Sequence, residues 1–136
     1  MGDPKKHRKK YETPRHPWEG PRIEKEKEIQ IKYGLKNKKE IWKADSKLRR
    51  YKRQAKSLVG RNDEQAKKEM DLLIKKLFKL NLIKESAKVD DILGLTLDDI
   101  LVRRLQTQVY KKGLSRTIEQ ARQFIVHGHI SLSDTK

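Results

Sequence analysis

A chain of 136 residues has room for one modest domain or two small helical lobes. With 40% charged against 34% hydrophobic residues any core is small, and a net charge of +16 points to a polyanionic partner, with an acidic membrane as the competing reading. There is no cysteine, which excludes disulfides and thiolate metal sites; no apolar run nears the roughly 20 residues that span a bilayer, and the N-terminus lacks the apolar segment of a secretory signal, so a soluble intracellular protein is expected.

Residues 1–21 read as a basic arm. Lys5, Lys6, Arg8, Lys9 and Lys10 form a near-continuous cationic run, while Pro4, Pro14, Pro17 and Pro21 block a regular helix. Free in solution the arm is expected to be disordered; on RNA its cations would neutralise phosphates, and Tyr11, His16 or Trp18 would stack on a base or fill a groove. The competing readings are a solubilising tail and a nuclear localisation signal. Pro21 suits the first turn of a helix running to about Tyr33, with Ile23 and Ile29 as sparse anchors and Gly34 as its stop.

Asn37 and Glu40 read as a capping pair for the next helix, about Lys38 to Val59. Its apolar residues Ile41, Ala44, Leu48, Tyr51, Ala55 and Leu58 recur at alternating spacings of 3 and 4. After a short connection at residues 60–63, Ala66, Met70, Leu73, Leu77 and Leu80 repeat the pattern. Two matching stripes so closely joined predict an antiparallel helical hairpin, with the stripes as core. On the other face of the first helix, Lys47, Arg49, Arg50, Lys52, Arg53 and Lys56 crowd together with no acid between them. Crowded like charges cost stability, which a phosphate partner would relieve; a solvated face is the alternative.

Residues 81–95 read as a linker. Asp90 to Leu93 and Asp98 to Leu101 repeat the same four letters, and both read as helix starts. From Thr96 as N-cap, one helix is expected to carry Leu97, Ile100, Leu101, Leu105 and Val109 on its apolar face and to stop at Gly113. Thr117 and Gln120 read as a capping box for a second helix, with Ile118, Ala121 and Ile125 inward. Gly128 closes it, and Ile130 and Leu132 alternate as in a half-buried strand. The polar side of this unit is basic: Arg103, Arg104, Lys111, Lys112, Arg116 and Arg122, with Glu119 the one acid among them. Cations gathered around one helix–turn–helix suit a phosphate backbone, against the alternative of a solvated hairpin.

Charge is uneven along the chain. Residues 1–60 carry a net +12, residues 61–102 a net −1, and residues 103–136 a net +5. A polyanion would therefore touch both ends and leave the middle for packing. No Walker-type loop, nucleophile elbow or Cys–His pair is visible, so no enzyme activity and no cofactor are implied. His127 and His129 lack further ligands and read as RNA contacts or strand-end packing rather than a metal site.

The stretch from Arg103 to Ile130 resembles the RNA-binding domain named after small-subunit ribosomal protein S-four. The shared positions are Arg104 and Leu105, Gly113 and Leu114, Ser115 and Arg116, Ala121 and Arg122, and Gly128. The fuller wording, with YKKGL, QARQ and HGHI, is similar to the archaeal and eukaryotic branch of that ribosomal protein family, and the opening MGDPKKHRKKYETPRHPW resembles its archaeal form, so the resemblance covers nearly the whole chain. Where the family's strand turns through Asn-Gly, this chain has Ser133 and Asp134, so the strands are expected to be incomplete.

The resemblance implies a structural constituent of the small ribosomal subunit. It would bind small-subunit ribosomal RNA at a multi-helix junction of the 5′ domain, help nucleate assembly and contribute to translational accuracy. The third and fifth small-subunit proteins and messenger RNA would lie near it. The alternatives are an RNA-modifying or tRNA-charging enzyme, or a ribosome-associated quality-control factor, using the same domain. The expected architecture is mainly α with a small α/β RNA-binding unit, divided as 1–36 arm and surface helix, 37–95 hairpin and linker, and 96–136 RNA-binding domain. Expected RNA contacts are Lys5, Lys6, Arg8, Lys9, Lys10, Arg49, Arg50, Arg53, Arg103, Arg104, Lys111, Lys112, Arg116, Arg122, Gln123, His127 and His129. Lys111, Lys112 and Arg116 would grip one stretch of backbone, with Arg122 and Gln123 reaching the neighbouring strand.

Overall fold

The structure, a computed structural model, describes residues 9–61 and 63–133. Lys5, Lys6 and Arg8 of the expected site lie outside these residues. The described chain is helical: α1 (Gly20–Lys32), α2 (Lys38–Val59), α3 (Glu64–Lys79), α4 (Val89–Gly94), α5 (Leu97–Val102), α6 (Leu105–Lys111) and α7 (Ile118–Val126).

The hairpin forms, with the α2 stripe facing α3 only from Leu48 on, while Ile41 and Ala44 turn to a second cluster. Leu48, Tyr51, Ala55 and Leu58 of α2 pack against Ala66, Leu73 and Leu77 of α3, and Met70 and Leu80 close the edges. The linker contributes more than a connection. Its residues 89–94 form α4, whose Ile92, together with Leu95, is buried in the same core. A second cluster joins Tyr33 and Leu35 after α1, Ile41 at the start of α2, and Leu101 of α5, flanked by Ile29, Trp42 and Leu97. The N-terminal half of α2 is therefore the post against which α1 and α5 both lean. An exposed ion pair, Lys32 to Asp98 at 3.0 Å, ties α1 to α5 on the outside.

Both repeated Asp-Asp-Ile-Leu stretches start helices. The Asp91 carboxylate accepts the Lys88 N–H at 2.8 Å, and Asp99 accepts from the N–H and hydroxyl of Thr96 at 2.7 and 2.8 Å. Thr96 thus sits at the N-cap, in a capping box with Asp99 to which its hydroxyl also donates.

The single helix expected from Leu97 to Gly113 is two. Arg104 is extended, with φ −61° and ψ 141°, and the chain restarts at Leu105. The carbonyls at the break accept from side chains six residues on: Thr107 Oγ1 bonds Leu101 O at 3.0 Å and Gln108 Nε2 bonds Val102 O at 2.8 Å. Apolar spacing runs straight across this break, which is why periodicity alone does not reveal it. The break turns Gln106 and Thr107 into the interior, where both are buried, while Leu105 lies half-exposed at a surface groove.

The α6–α7 unit is closed as expected. Gly113 and Gly128 both take positive φ, 73° and 72°. At each, the next N–H reaches back to the helix, Leu114 to Val109 O and His129 to Phe124 O. Thr117 accepts the Gln120 N–H at 3.1 Å, and Gln120 Oε1 accepts the Arg116 N–H at 2.8 Å. The expected half-buried strand at Ile130 and Leu132 does not form among the described residues; only Leu132 makes an isolated β-bridge. A strand's N–H and C=O groups need a neighbouring strand, and among the described residues no second run pairs with this one.

The described part of the arm is docked, against the expectation of disorder. The Glu12 N–H donates to Ser46 Oγ at 2.9 Å, and the Tyr11 ring lies 6.4 Å from that of Trp42. Arg22 reaches back from α1 and donates to the carbonyls of His16 and Pro17, both at 2.9 Å. The prolines do prevent a helix here, but side-chain anchors on α1 and α2 supply the order that backbone bonding lacks.

Candidate nucleic-acid interface

Three groups of cations are expected to meet RNA, and the structure treats them differently. Lys111, Lys112 and Arg116 around the α6–α7 turn, and Arg103 at the α5–α6 break, are exposed and make no ion pair among the described residues. Lys111 and Lys112 stand where the carbonyl end of α6 favours positive charge. Arg116 precedes the N-cap of α7, with its own N–H held by Gln120 and its side chain outward. The tight turn through Gly113 leaves three residues between Lys112 and Arg116. Gln123 is exposed on α7.

Arg104 and Arg122 are a different pair. Both are about two-thirds buried and converge on Glu40: Arg104 NH1 to Oε2 at 2.9 Å and Arg122 NH2 to Oε1 at 2.7 Å. Arg122 NH1 also reaches Gly34 O at 3.4 Å. Beside them, Gln106 Nε2 donates to Gly34 O at 3.0 Å and to Ile118 O at 2.9 Å. Burial pushes the Glu40 carboxyl up, but hydrogen bonds from Arg122 and then Arg104 outweigh it and hold the group below its ordinary 4.5. Glu40 does not act as the capping partner of Asn37, whose side chain makes no cap bond; it bridges α2 to both helices of the basic unit. The spacing Asn37–Glu40 points to the wrong partner because a carboxylate at the start of a helix suits a cap and an arginine equally well.

On α2, Arg50 is exposed and makes no ion pair among the described residues, whereas Arg49 and Arg53 meet acids. Arg49 pairs with Asp45 one turn back at 2.8 Å, and Glu12 of the arm lies 3.7 Å from Arg49 and 3.5 Å from Arg53. The crowd of like charges is thus partly relieved within the chain. These pairs are open to water and add little stability, so a phosphate would displace them easily. Lys9 and Lys10 are exposed at the arm's docked end.

Glu26, which no motif or spacing singles out, is a buried carboxylate under the arm. It accepts from Arg22 at 2.6 Å and Trp42 Nε1 at 3.0 Å, and Lys38 stands 3.6 Å away. His127 and His129 are exposed with ring centroids 6.0 Å apart, and His129 meets Phe124 edge-on. Among the described residues no group of three or more potential ligands is placed to hold a metal ion, and no helix is long and apolar enough to cross a membrane.

A helical bundle that presents an exposed cationic helix–turn–helix has the makings of a nucleic-acid-binding protein. Residues 103–133 match the family model described as S4 domain, and residues 5–102 match that described as Ribosomal protein S4/S9 N-terminal domain. The two matches meet at residues 102 and 103, where α5 breaks from α6. The small ribosomal subunit protein uS4 of Methanothermobacter thermautotrophicus is 51% identical over 136 residues, covering 100% of this chain and 80% of its own length. Its namesake in Picrophilus torridus is 55% identical, with 98% and 75% covered, and that in Thermoplasma acidophilum 52%, with 98% and 68%. The chain belongs to the ribosomal protein S4 family.

Proposed function

We propose that this chain is a non-enzymatic, structural constituent of the small ribosomal subunit that binds small-subunit ribosomal RNA in the cytoplasm. The carrying observation is the division of labour among its arginines. Glu40 engages Arg104 and Arg122 and so fixes the S4 unit on the hairpin, while Lys111, Lys112 and Arg116 at the turn, and Arg103 at the α5–α6 break, make no ion pair among the described residues. A rigid mount with an unpaired cationic edge suits a phosphate backbone held in one place. Arg50, Lys9 and Lys10 supply a second contact zone on the arm side. The arm and surface helix (1–36), the hairpin and linker (37–95) and the RNA-binding domain (96–136) then divide the work into clamp, scaffold and reader. Within the subunit the chain sits at a multi-helix junction of the 5′ domain, nucleates assembly and supports accuracy. It has the third and fifth small-subunit proteins as neighbours and lies near the path by which messenger RNA enters.

Sedimentation tests this. A structural constituent stays with small subunits washed in high salt. A chain that washes off is a transient factor or enzyme, and the proposal fails.

A further inference from the structure

Trp18 is 91% exposed, the most exposed large hydrophobic side chain among the described residues. It stands one residue before Glu19, the N-cap of α1. An apolar residue there ordinarily folds back on the fourth residue of the helix as a staple, and Ile23 is present to receive it. That contact is not made, and the ring is left in solvent.

The segment that carries the ring is nevertheless held. Arg22 donates through one nitrogen to the carbonyls of both His16 and Pro17, the two residues just before Trp18, each at 2.9 Å. Its other terminal nitrogen is fixed on Glu26 at 2.6 Å, and Glu26 is itself fixed by Trp42. Pro17 and Pro21 restrict the backbone on either side. An exposed tryptophan on a clamped segment has already met most of the ordering cost of binding.

We infer that Trp18 is a stacking platform for an unpaired nucleobase of the bound RNA. The inference rests on the RNA-binding reading and adds a contact that the cationic edges do not supply. Its surroundings select the partner. Residues 13–17 and 19–22 offer no other large apolar side chain, so the ring lacks the apolar surround of a protein-binding hot spot. The same arm presents Lys9, Lys10 and Arg15, with Arg50 facing it from α2, all exposed and without an ion pair among the described residues. An exposed aromatic face on a segment whose arm also carries unpaired cations suits single-stranded nucleic acid held without reading its sequence.

The test uses the full chain and a 5′-domain fragment of small-subunit ribosomal RNA. The chain has two tryptophans, so the emission of Trp18 is the difference between the parent and Trp18→Phe. On saturation with RNA this difference emission is quenched. Trp18→Ala lowers affinity about ten-fold, as expected for the removal of one stack, and Trp18→Phe recovers most of it. Neither variant changes the melting temperature, because the ring buries nothing. Unquenched Trp18 emission in a saturated complex, or Trp18→Ala binding RNA like the parent, overturns the inference and leaves the RNA-binding reading intact. Trp18→Ala that binds RNA normally yet is lost from assembled subunits also overturns it, and assigns the ring to a protein neighbour. No RNA binding by the parent removes both readings together.

Discussion

Glu40 and Arg122 are 82 positions apart in sequence and 2.7 Å apart in space. Arg104 occupies the other oxygen of the same carboxylate. This one acid joins the hairpin to both helices of the S4 unit, so it sets the stability of that junction. Arg122→Ala is expected to lower stability by about 1–3 kcal/mol, the range for a charge-assisted bond to a half-buried group. Glu40→Gln, which leaves both half-buried guanidiniums without a counter-charge and turns an amide N–H2 toward one of them, loses at least as much. Thermal melts of the two variants check this. An Arg122→Ala protein that melts like the parent would show that the pair is only a surface contact.

The same carboxylate gives a pH dependence with a definite sign. The folded state holds Glu40 below its ordinary 4.5 because Arg122 and Arg104 overcome its burial. A depressed carboxyl contributes stability that is fully present above the unfolded value and is lost as pH falls through the folded one. The parent should therefore lose stability below about pH 4.5 more steeply than Glu40→Gln does. Denaturant melts between pH 6 and pH 3 measure the difference, and parallel curves would remove Glu40 as a source.

Gly34 is required on two counts. Its φ of +56° is a left-handed conformation, and an added Cβ would overlap Ile118 Cγ2 and crowd the Gln106 amide. Gly113, at φ +73°, has nothing within 4 Å of the same atom. Gly113→Ala should cost about 1–2 kcal/mol for the backbone alone. Gly34→Ala should cost a further 1–3 kcal/mol or so, because the S4 unit must move away from the turn. Equal losses in the two variants would mean the close approach at Gly34 relaxes freely.

What is legible in the sequence, and what is hidden, follows from the range of the interactions. Leu48, Tyr51, Leu73 and Leu77 are legible as core because helix periodicity is local. Gly113 and Gly128 are legible as stops because a glycine just past the last apolar position of a helix is a local pattern too. Glu40 reads as a cap and Gln106 is not singled out, because their partners lie 64 to 82 and 72 positions away. The α5–α6 break is hidden for a related reason. Thr107 and Gln108 capture carbonyls six residues back, but the apolar spacing of Leu101, Leu105 and Val109 continues as if the helix did. Arg104 and Arg122 read as free cations since a basic residue carries no local sign of a distant acid.

The hairpin register has its own test. Leu48 is 7% exposed within the α2–α3 core, and Lys47 beside it is exposed. Leu48→Asp should cost several kcal/mol, enough to loosen the hairpin, because it buries an unpaired charge. Lys47→Asp should change stability by under about 1 kcal/mol, as surface substitutions usually do. If the two proteins melt alike, the buried face of α2 is not the one described.

The free edge of the S4 unit should separate affinity from stability. Arg116 is exposed and without an ion pair among the described residues, so Arg116→Ala should leave the melting temperature unchanged. It should weaken binding to a 5′-domain RNA fragment by about 1–3 kcal/mol, the range for a hydrogen bond to a charged group. Arg116→Lys should recover only part of that, because a guanidinium engages phosphate through two parallel bonds and an ammonium does not. Removing Lys111 and Lys112 together should also flatten the salt dependence, by roughly 0.7–0.9 in the log–log slope for each phosphate left without its cation. Arg104→Ala supplies the contrast. Its guanidinium is committed to Glu40, so its loss should appear in the melt, and in affinity only as far as the S4 unit shifts on the hairpin. Should Arg116→Ala bind normally while Arg104→Ala loses affinity without losing stability, the RNA-facing and fold-fixing arginines are the reverse of those assigned.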